Sequence, residues 1–279
     1  MISIITCSVN PALLLALKRN IEETIGETYE LIVIDNSENQ FSISEAYNAG
    51  IDKAKFEYLL LLHEDVFFHT LNWGSNLVAY FSILPDLGLI GVAGATFKSK
   101  APSLWTNVSK KNWVMYLKQR LSDGMIQLNT SEWSNDKSFM EVKVIDGVFM
   151  ATRKSLNFRF DENIKGFHFY DTYLSIMVSI AELKIIVIND ILIEHFSSGN
   201  QNEEWVKSAD LFHQKYNQYL PMGTLPKKQQ AETECQNLLR FVELCIAHEQ
   251  KWLAFIYWLK LFFRKPFLKQ NLIILRNIL

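Results

Sequence analysis

Residues 58–68 read YLLLLHEDVFF, and this stretch decides the predicted fold. The four leucines at 59–62 have no polar residue between them, which is typical of a strand that is buried on both faces. The apolar run then stops at His63, Glu64 and Asp65. An imidazole and two carboxylates at this position are either a solvated strand end or a group that holds a ligand at the edge of a sheet.

Short apolar runs and helical segments alternate around this stretch. Asn10 is a predicted N-cap followed by Pro11 at the first helical position, and Ser42 with Glu45 forms a predicted capping box. The alternation predicts βαβ units and therefore an α/β fold, with a mostly parallel central sheet flanked by helices. The predicted strands in this part of the chain are ISIIT (2–6), YELIVID (29–35), EYLLLLHEDV (57–66) and LGLIGVAG (87–94).

The pattern changes in the second half of the chain. The pattern weakens over residues 95–140, where residues 98–113 and 129–138 predict loops and a short hairpin is predicted around MIQL (125–128). Long irregular segments of this kind are often binding loops. Residues 139–153 predict a strand interrupted at Asp146 and Gly147, and a helix is predicted to begin near Tyr170. The remaining predicted elements are strands at 184–190 and 191–195 and an amphipathic helix at 203–220.

The segment PMGTLPKKQQ (221–230) is the clearest predicted linker, because it combines two prolines, a glycine and a polar end. We therefore predict a catalytic or binding domain at 1–220 and a helical region at 221–279, broken at Pro266. Residues 251–279 carry basic and aromatic side chains and no acidic residue, although the whole chain has a formal net charge of −2.

Composition places limits on the protein class. A chain of 279 residues suits one large domain, or one domain with an appendage. The 3 cysteines form no CxxC pair, which favours a reducing compartment. The sequence begins without a basic and apolar leader and contains no long uncharged apolar stretch, so a cytoplasmic protein without a spanning helix is expected.

Common nucleotide and zinc motifs are missing from the sequence. It contains no P-loop and no G-x-G-x-x-G run, and its histidines and cysteines do not have the spacing of a zinc site. Nothing in its charge pattern predicts a nucleic-acid partner. Ligand binding is expected instead beyond the carboxyl ends of the strands, where Asp35 and the residues 63–65 lie together.

Five short motifs occur in an order that resembles one known family. The sequence resembles the inverting GT-A glycosyltransferases of the large family that includes cellulose and hyaluronan synthases, and it is most similar to the small bacterial members. The resemblance covers residues 2–200. The motifs that carry it are VIDNS (33–37), SEAYNAGIDKAKFEYLLLLHEDV (44–66), DGVFMATR (146–153), FDE (160–162) and GFHFYDTYL (166–174).

This resemblance implies a GT-A fold with a C-terminal helical region and a defined reaction. A sugar would move from a nucleotide-sugar, expected to be a UDP-sugar, to a hydroxyl of a glycan or glycolipid, with inversion at the anomeric carbon. Residues 95–140 would select the acceptor. The residues that the resemblance assigns to the nucleotide are Cys7, Ser8, Val9, Asp35, Asn36, Asn48, His63 and Glu64.

Asp65 is the predicted metal ligand. Hard divalent cations take oxygen ligands and often bind nucleotide phosphates through one or two protein carboxylates. Alternatively, the acidic residues only terminate the strand and bind no ion. The resemblance places residues 63–65 at the D-x-D motif of the family and implies Mg²⁺ or Mn²⁺ at Asp65. His63 replaces the first aspartate and would bond the ribose or a phosphate, and His195 would be a further metal or diphosphate ligand.

Asp171 is the predicted general base, because an inverting transfer needs a carboxylate that takes the proton of the attacking hydroxyl. The family has an acidic pair here, of which Tyr170 replaces the first member. Asp171 could alternatively only favour the N-terminus of a helix. Asp146 and Gly147, together with Tyr170, are predicted to contact the acceptor or donor sugar, although Asp146 could equally be a turn residue.

Two questions stay open at the level of sequence. Residues 251–279 would contact either an anionic membrane surface, on the inner face of the cell membrane, or the protein body or a second subunit of a homo-oligomer. The rival functions are a non-catalytic glycan-binding protein, which the replaced acids at His63 and Tyr170 favour, and a sugar-nucleotide pyrophosphorylase. The latter would need a glycine-rich basic segment after the first strand, where this chain has TCSVNPALLL (6–15).

Overall fold

The computed structural model describes residues 1–121, 123–134, 136–196 and 199–278. Its strands are β1 (Ile2–Ser8), β2 (Tyr29–Asp35), β3 (Tyr58–Leu62), β4 (Val66–Phe68), β5 (Leu87–Gly91), β6 (Ala93–Ala95), β7 (Trp113–Arg120), β8 (Ile126–Thr130), β9 (Phe139–Val142), β10 (Val144–Ile145), β11 (Phe149–Arg153), β12 (Lys184–Ile188) and β13 (Ile193–His195). Its α-helices are α1 (Pro11–Thr24), α2 (Ile43–Lys53), α3 (Trp73–Ile83), α4 (Tyr170–Ile180), α5 (Glu203–Lys215), α6 (Lys227–Ala247), α7 (Lys251–Arg264) and α8 (Gln270–Ile278).

A 7-stranded central sheet has the strand order β2-β1-β3-β11-β5-β12-β9. Strands β1, β2, β3, β5 and β12 run in one direction, and β9 and β11 run against them. The mostly parallel α/β sheet predicted from the sequence is therefore confirmed. The antiparallel insertion of β11 between β3 and β5 was not predicted.

The four leucines of β3 are buried on alternate faces of this sheet, as the pleat of a strand requires. Leu60 and Leu62 pack in a core cluster with side chains of α1 and α3, whereas Leu59 and Leu61 pack in a second cluster with side chains of α2 and α4. Each of the four is at most 2% exposed. A strand between two helical layers must be apolar on both sides, which explains the unbroken leucine run.

The predicted helix caps are present. The Asn10 side chain accepts hydrogen bonds from the backbone N–H groups of Ala12 and Leu13, and Pro11 opens α1. Ser42 and Glu45 form the reciprocal capping box at the start of α2. These caps fix the points at which the chain turns from the ends of the strands into the helices.

The predicted strand at 57–66 is wrong in one respect, because β3 ends at Leu62 and the chain enters a different sheet at Val66. Strand β4 belongs to a 6-stranded sheet with the order β10-β6-β7-β13-β4, in which β8 pairs with β7. Residues 63–65 form the bend between the two sheets. Their polar side chains cannot continue the buried strand, and they lie where the sheets meet.

The hairpin predicted around residues 125–128 is present, but it is longer than expected. It consists of β7 and β8, which pair antiparallel from Tyr116 opposite Thr130 to Arg120 opposite Ile126. Most of β7 is only partly buried and most of β8 is exposed. Neither strand therefore has the continuous apolar run that a buried strand shows, which explains why the sequence indicated only a short hairpin here.

Helices α6, α7 and α8 form a third hydrophobic cluster together with residues of α4 and α5. Helix α7 ends at Arg264, and α8 begins at Gln270 after the predicted break at Pro266. The C-terminal helical region is therefore confirmed, and the division at 220/221 stays a prediction. None of the described helices has the combination of length and apolar character needed to cross a membrane.

Candidate active site

The pairing of β4 with β13 brings Asp65 and His195 together. His195 lies opposite Val66 in this antiparallel pair, and the backbone N–H of Phe196 donates a hydrogen bond of 3.0 Å to the backbone carbonyl of Asp65. Segments that are 130 residues apart in sequence therefore meet at the bend after β3. Local sequence carries no signal for this contact, since it depends on a strand of the second sheet.

His63, Asp65 and His195 form a compact cluster with one potential ligand atom from each residue within 4.8 Å of the others. His63 Nδ1 lies 3.8 Å from Asp65 Oδ1, and His195 Nε2 lies 3.5 Å from Asp65 Oδ2. The three side chains are between 12% and 31% exposed, so the cluster is half-buried and open to a cavity. Two imidazoles and a carboxylate are a donor set that suits a divalent transition-metal ion.

The second nitrogen of each imidazole is engaged by the protein. His63 Nε2 lies 2.6 Å from the Tyr170 hydroxyl, and His195 Nδ1 lies 3.2 Å from Gln119 Oε1. The Gln119 amide also donates to the His195 carbonyl at 3.1 Å. Metal-binding histidines are usually oriented by a bond of this kind on the other ring nitrogen, so the residues present fit a metal ion.

The pKa values of the two imidazoles are shifted in opposite directions. Burial and the neighbouring His195 lower the pKa of His63 below its ordinary value. Burial also lowers the pKa of His195, but the hydrogen bond and charge of Asp65 and the charge of Asp146 together outweigh it and raise this pKa above its ordinary value. A divalent cation would displace the His195 proton, because metal ligation needs a neutral imidazole.

Glu64 has a supporting position. Its buried carboxylate accepts hydrogen bonds from the Ser8 hydroxyl at 2.6 Å and from the backbone N–H groups of Val9 at 3.1 Å and Asn10 at 3.0 Å. These bonds tie the end of β1 to the end of β3. Charge-assisted hydrogen bonds are among the strongest in proteins, so Glu64 holds the loop that leads into α1.

A first cavity of about 410 Å³ opens beside this loop. Of the residues predicted to bind nucleotide, Cys7, Val9, His63 and Glu64 line it. Burial raises the pKa of the Cys7 thiol to about 11, which keeps this wall of the cavity uncharged. The other lining residues are Asn10, Leu13, Ile43, Tyr47, Asp65, Phe167 and Tyr170.

The remaining predicted nucleotide residues do not line this cavity. The Asn36 side chain is bonded to the backbone of Phe41, and the Asn48 side chain is bonded to the backbone of Phe160. Both asparagines are buried and hold loops in place. Asp35 is exposed at the end of β2, where hydrogen bonds from Ser37 lower its pKa.

A second cavity of about 190 Å³ contains the predicted base and sugar-binding residues. Asp146, Gly147 and Asp171 line it together with His195. His63, Phe167 and Tyr170 line both cavities, and they form the common wall between them. A ligand that occupies both cavities would pass the His63–Asp65–His195 cluster.

Asp171 lies in the first turn of α4. Its Oδ1 atom accepts hydrogen bonds from the Thr172 backbone N–H at 2.6 Å and from the Thr172 hydroxyl at 3.2 Å. Burial, together with the charge of Asp146, raises the pKa of Asp171 to about 7. A carboxyl group with this pKa can accept a proton near neutral pH more effectively than an ordinary aspartate.

The turn at Asp146 and Gly147 is closely packed against Tyr170. A Cβ atom at Gly147 would lie 2.1 Å from the Tyr170 hydroxyl oxygen, so a glycine is required for this approach. Asp146 accepts hydrogen bonds from the Val148 N–H at 2.9 Å and from the Trp105 indole N–H at 2.8 Å. Trp105 lies in the segment predicted as a loop, and nothing in its local sequence marked it as a residue of the site.

The residue before α4 has an unusual backbone conformation. Phe169 has a φ of 64°, although it is a large side chain and is buried. Such conformations cost energy and occur mainly at functional sites. The turn at Phe169 directs Tyr170 and Asp171 into the second cavity. The sequence also predicts that the short segment of Ser197, Ser198 and Gly199 after β13 could close over phosphates, and Ser197 and Ser198 lie outside the described residues.

Proteins of solved structure share the fold of this chain. A mannosyltransferase from Pyrobaculum calidifontis in complex with GDP-Man and Mn²⁺ is similar at a TM-score of 0.53 and 13% identity, over 93% of this chain and 74% of that one. S. aureus TarS 1–349 in complex with UDP is similar at a TM-score of 0.51 and 11% identity, over 87% of this chain and 72% of that one. GalNAc-T7 with UDP, GalNAc and Mn²⁺ is similar at a TM-score of 0.52 and 12% identity. The match covers 87% of this chain but only 56% of the GalNAc-T7 chain.

These similarities define the class: the chain has the GT-A glycosyltransferase fold, as the sequence predicted. Residues 3–221 match the glycosyltransferase-like family. The chain belongs to this family. No curated protein matches its sequence.

Proposed function

We propose that this glycosyltransferase moves a sugar from a UDP-sugar to a hydroxyl of a glycan or glycolipid, with inversion at the anomeric carbon. One observation carries the proposal: two cavities share the wall of His63, Phe167 and Tyr170 and meet at the candidate metal cluster. The larger cavity suits the nucleotide, and the smaller one suits the sugar and the attacking hydroxyl.

In this proposal, Asp65, His63 and His195 hold a divalent cation, which would neutralise the charge of the departing diphosphate. Mn²⁺ suits this set better than Mg²⁺, because imidazole is a ligand of transition metals whereas Mg²⁺ prefers oxygen and water. Tyr170 and Gln119 orient the two imidazoles. Cys7, Val9 and Tyr47 line the space proposed for the base and ribose.

Asp171 is the proposed general base. As the acceptor oxygen forms its bond to the anomeric carbon, the bond from that carbon to the diphosphate oxygen breaks, and the nucleoside diphosphate leaves. The proton of the acceptor hydroxyl moves to the Asp171 carboxylate. Asp146 and Trp105 lie beside Asp171 in the same cavity, and we propose that they bind the sugar hydroxyls and an apolar sugar face.

The direct test is release of UDP from candidate UDP-sugars in the presence of Mn²⁺, with and without sugar acceptors. The wild-type protein should release UDP, and Asp171→Asn should abolish transfer while nucleotide binding persists. A wild-type protein that neither hydrolyses nor transfers with any nucleotide-sugar would contradict the enzymatic proposal. Binding of a glycan without turnover would then favour a non-catalytic glycan-binding protein.

We further propose that α7 and α8 attach this protein to an anionic membrane surface. Trp252, Phe263 and Phe267 are 74%, 79% and 98% exposed on a region that carries only basic charges. Exposed aromatic and basic side chains together are typical of interfacial helices. Sedimentation with phosphatidylglycerol vesicles, but not with phosphatidylcholine vesicles, is expected, and Trp252→Ser with Phe267→Ser should weaken it.

A further inference from the structure

A cavity on the C-terminal side of the molecule is lined by basic residues. Lys100, Lys227 and Arg264 surround about 290 Å³ between α6, α7 and the loop that follows β6. A neighbouring cavity of about 330 Å³ shares Lys100 and Arg264 and adds Lys260. The other residues of the first cavity are Pro221, Gln230, Ala231 and Glu234. We call the two cavities together the basic cleft.

The positive charges of the first cavity have no carboxylate partner in the described part of the chain. Neither Lys100 nor Lys227 nor Arg264 forms an ion pair there. Glu234 is buried and directs its carboxylate to the loop, where it accepts hydrogen bonds from the backbone N–H groups of Lys100 at 2.7 Å and Ala101 at 2.9 Å. The cleft is therefore strongly positive.

The N-terminus of α6 adds to this field. Helix α6 begins at Lys227 and is 21 residues long, and its N-cap residue Pro226 provides no side-chain hydrogen bond. The N-terminal end of a helix dipole favours an anion, and the first backbone N–H groups can donate to it. Three cations that form no ion pair among the described residues line one cavity, at the point where α6 begins, and they suit a group with several anionic oxygens.

We propose that the basic cleft binds a phosphate group, carried by the acceptor or by a lipid headgroup at the membrane surface. This inference rests on the proposed function, because it specifies the acceptor. One loop connects the two sites: Ala101 and Pro102 line the basic cleft, and Ser103, Leu104 and Trp105 line the cavity that contains Asp171. Phe263, which is 79% exposed, also lines the cleft, so an apolar chain attached to the phosphate can lie beside it.

Phosphate binding is tested with the full chain by titration calorimetry, using sodium phosphate against NaCl of equal ionic strength. The double substitution Lys227→Gln with Arg264→Gln should weaken phosphate binding by about tenfold or more, since each removes a charge-assisted contact. The matched control is Lys228→Gln with Lys265→Gln, which removes the same charge from the adjacent exposed residues. It should bind phosphate as the wild type does.

An equal loss of phosphate affinity in both double variants would mean that phosphate binds to a diffuse positive surface, and it would overturn the proposal of a specific site. No binding of phosphate beyond the NaCl control would overturn it as well. Vesicles with and without phosphatidic acid, and soluble glycerol phosphate, identify the source. If the Lys227→Gln with Arg264→Gln variant loses binding only to the phosphatidic acid vesicles, the phosphate belongs to a lipid headgroup. If it also loses binding to glycerol phosphate, the phosphate belongs to the acceptor.

UDP release without acceptor separates this proposal from the proposed function. The basic cleft is apart from the donor cavity, so both double variants should release UDP from the donor as the wild type does. Intact UDP release with no phosphate binding overturns only the cleft. Intact phosphate binding with no UDP release from any donor overturns only the transferase proposal.

Discussion

At the scale of single residues, the position of His63 is explained by its two neighbours. A first aspartate was expected at this position, but an aspartate would be too short to contact both Asp65 and the Tyr170 hydroxyl as the imidazole does. The replacement of the acid at position 170 by tyrosine fits the same arrangement. We therefore interpret His63 and Tyr170 as a matched pair rather than as two lost acids.

The activity should depend on the ionisation of Asp171. Its pKa is about 7, and only the carboxylate form can accept the acceptor proton. The value of kcat/KM is therefore expected to rise with pH through about 7 and to level off above it. A pH–rate profile for transfer checks this. A profile that is flat from about pH 6 to about pH 8, which is about one unit on either side of that pKa, would contradict the role of Asp171.

The same group should oppose stability when it is charged. The folded-state pKa of Asp171 lies above the ordinary value of 3.8, so its contribution to the free energy of unfolding is most favourable when the carboxyl is protonated and is lost as pH rises through about 7. Asp171→Asn should therefore raise the Tm at alkaline pH and abolish transfer. A Tm difference from wild type that does not increase between acid and alkaline pH would contradict this expectation.

Gln119 should determine how well His195 binds metal. Gln119→Ala removes the hydrogen bond to Nδ1, and such a change typically weakens metal affinity by about 10–100-fold. Mn²⁺ titration followed by electron paramagnetic resonance measures this affinity directly. Gln127→Ala, on the adjacent strand, is the matched control and should leave Mn²⁺ affinity unchanged.

At the scale of elements, the turn at Asp146 and Gly147 and the turn at Phe169 hold the site together. The contacts of these residues are visible only in the three-dimensional structure. The helix caps, the buried strands and the start of α4 could be predicted because each has a local pattern of its own. The strand at 191–195 was predicted, but its pairing with β4 and β7 and the contact of the Trp105 indole with Asp146 could not be, since these contacts join segments far apart in sequence. The resemblance pointed to Asp65, His195 and Asp171, but it gave no information on Gln119.

Gly147 should be essential for the approach of Tyr170 to the β10–β11 turn. In Gly147→Ala the new methyl group would overlap the Tyr170 hydroxyl, so the ring must move away from His63. We expect a large loss of transfer with cooperative unfolding retained. Gly124→Ala is the comparison for activity: Gly124 has no atoms within 4 Å of the added carbon, so the change strains only its own exposed turn, where φ is 84°, and should leave transfer unchanged. Full activity of Gly147→Ala would show that the Tyr170–His63 contact is dispensable.

Glu64 should stabilise the junction of β1 and β3. Glu64→Ala leaves the Ser8 hydroxyl and two backbone N–H groups without their acceptor, which should cost about 2–4 kcal/mol in the free energy of unfolding. Urea denaturation measures the loss. Glu38→Ala, at an exposed loop position, should change the stability little, and an equal effect of the two substitutions would contradict the role of Glu64.

At the scale of the whole molecule, the C-terminal helices belong to the same packed body as the transferase fold. Residues of α6, α7 and α8 share a hydrophobic cluster with α4 and α5. Composition predicted a basic and aromatic helical region, but its packing against the body could not be predicted, because apolar helix faces look alike in sequence whether they meet lipid or protein. The exposed aromatic residues are the part of this region that the packing does not cover.

The bend at residues 63–65 is one of the points at which the chain passes from the central sheet to the second sheet. His63 follows β3 of the central sheet, whereas Asp65 precedes β4 and His195 ends β13 of the second sheet. A cation held by all three would therefore link the two sheets. Mn²⁺ should therefore slow amide hydrogen exchange in β4 and β13, and chelation should restore fast exchange there while β1 and β2 stay protected. Binding of a cation at the donor site would then be detectable as slower amide exchange in the strands that surround it.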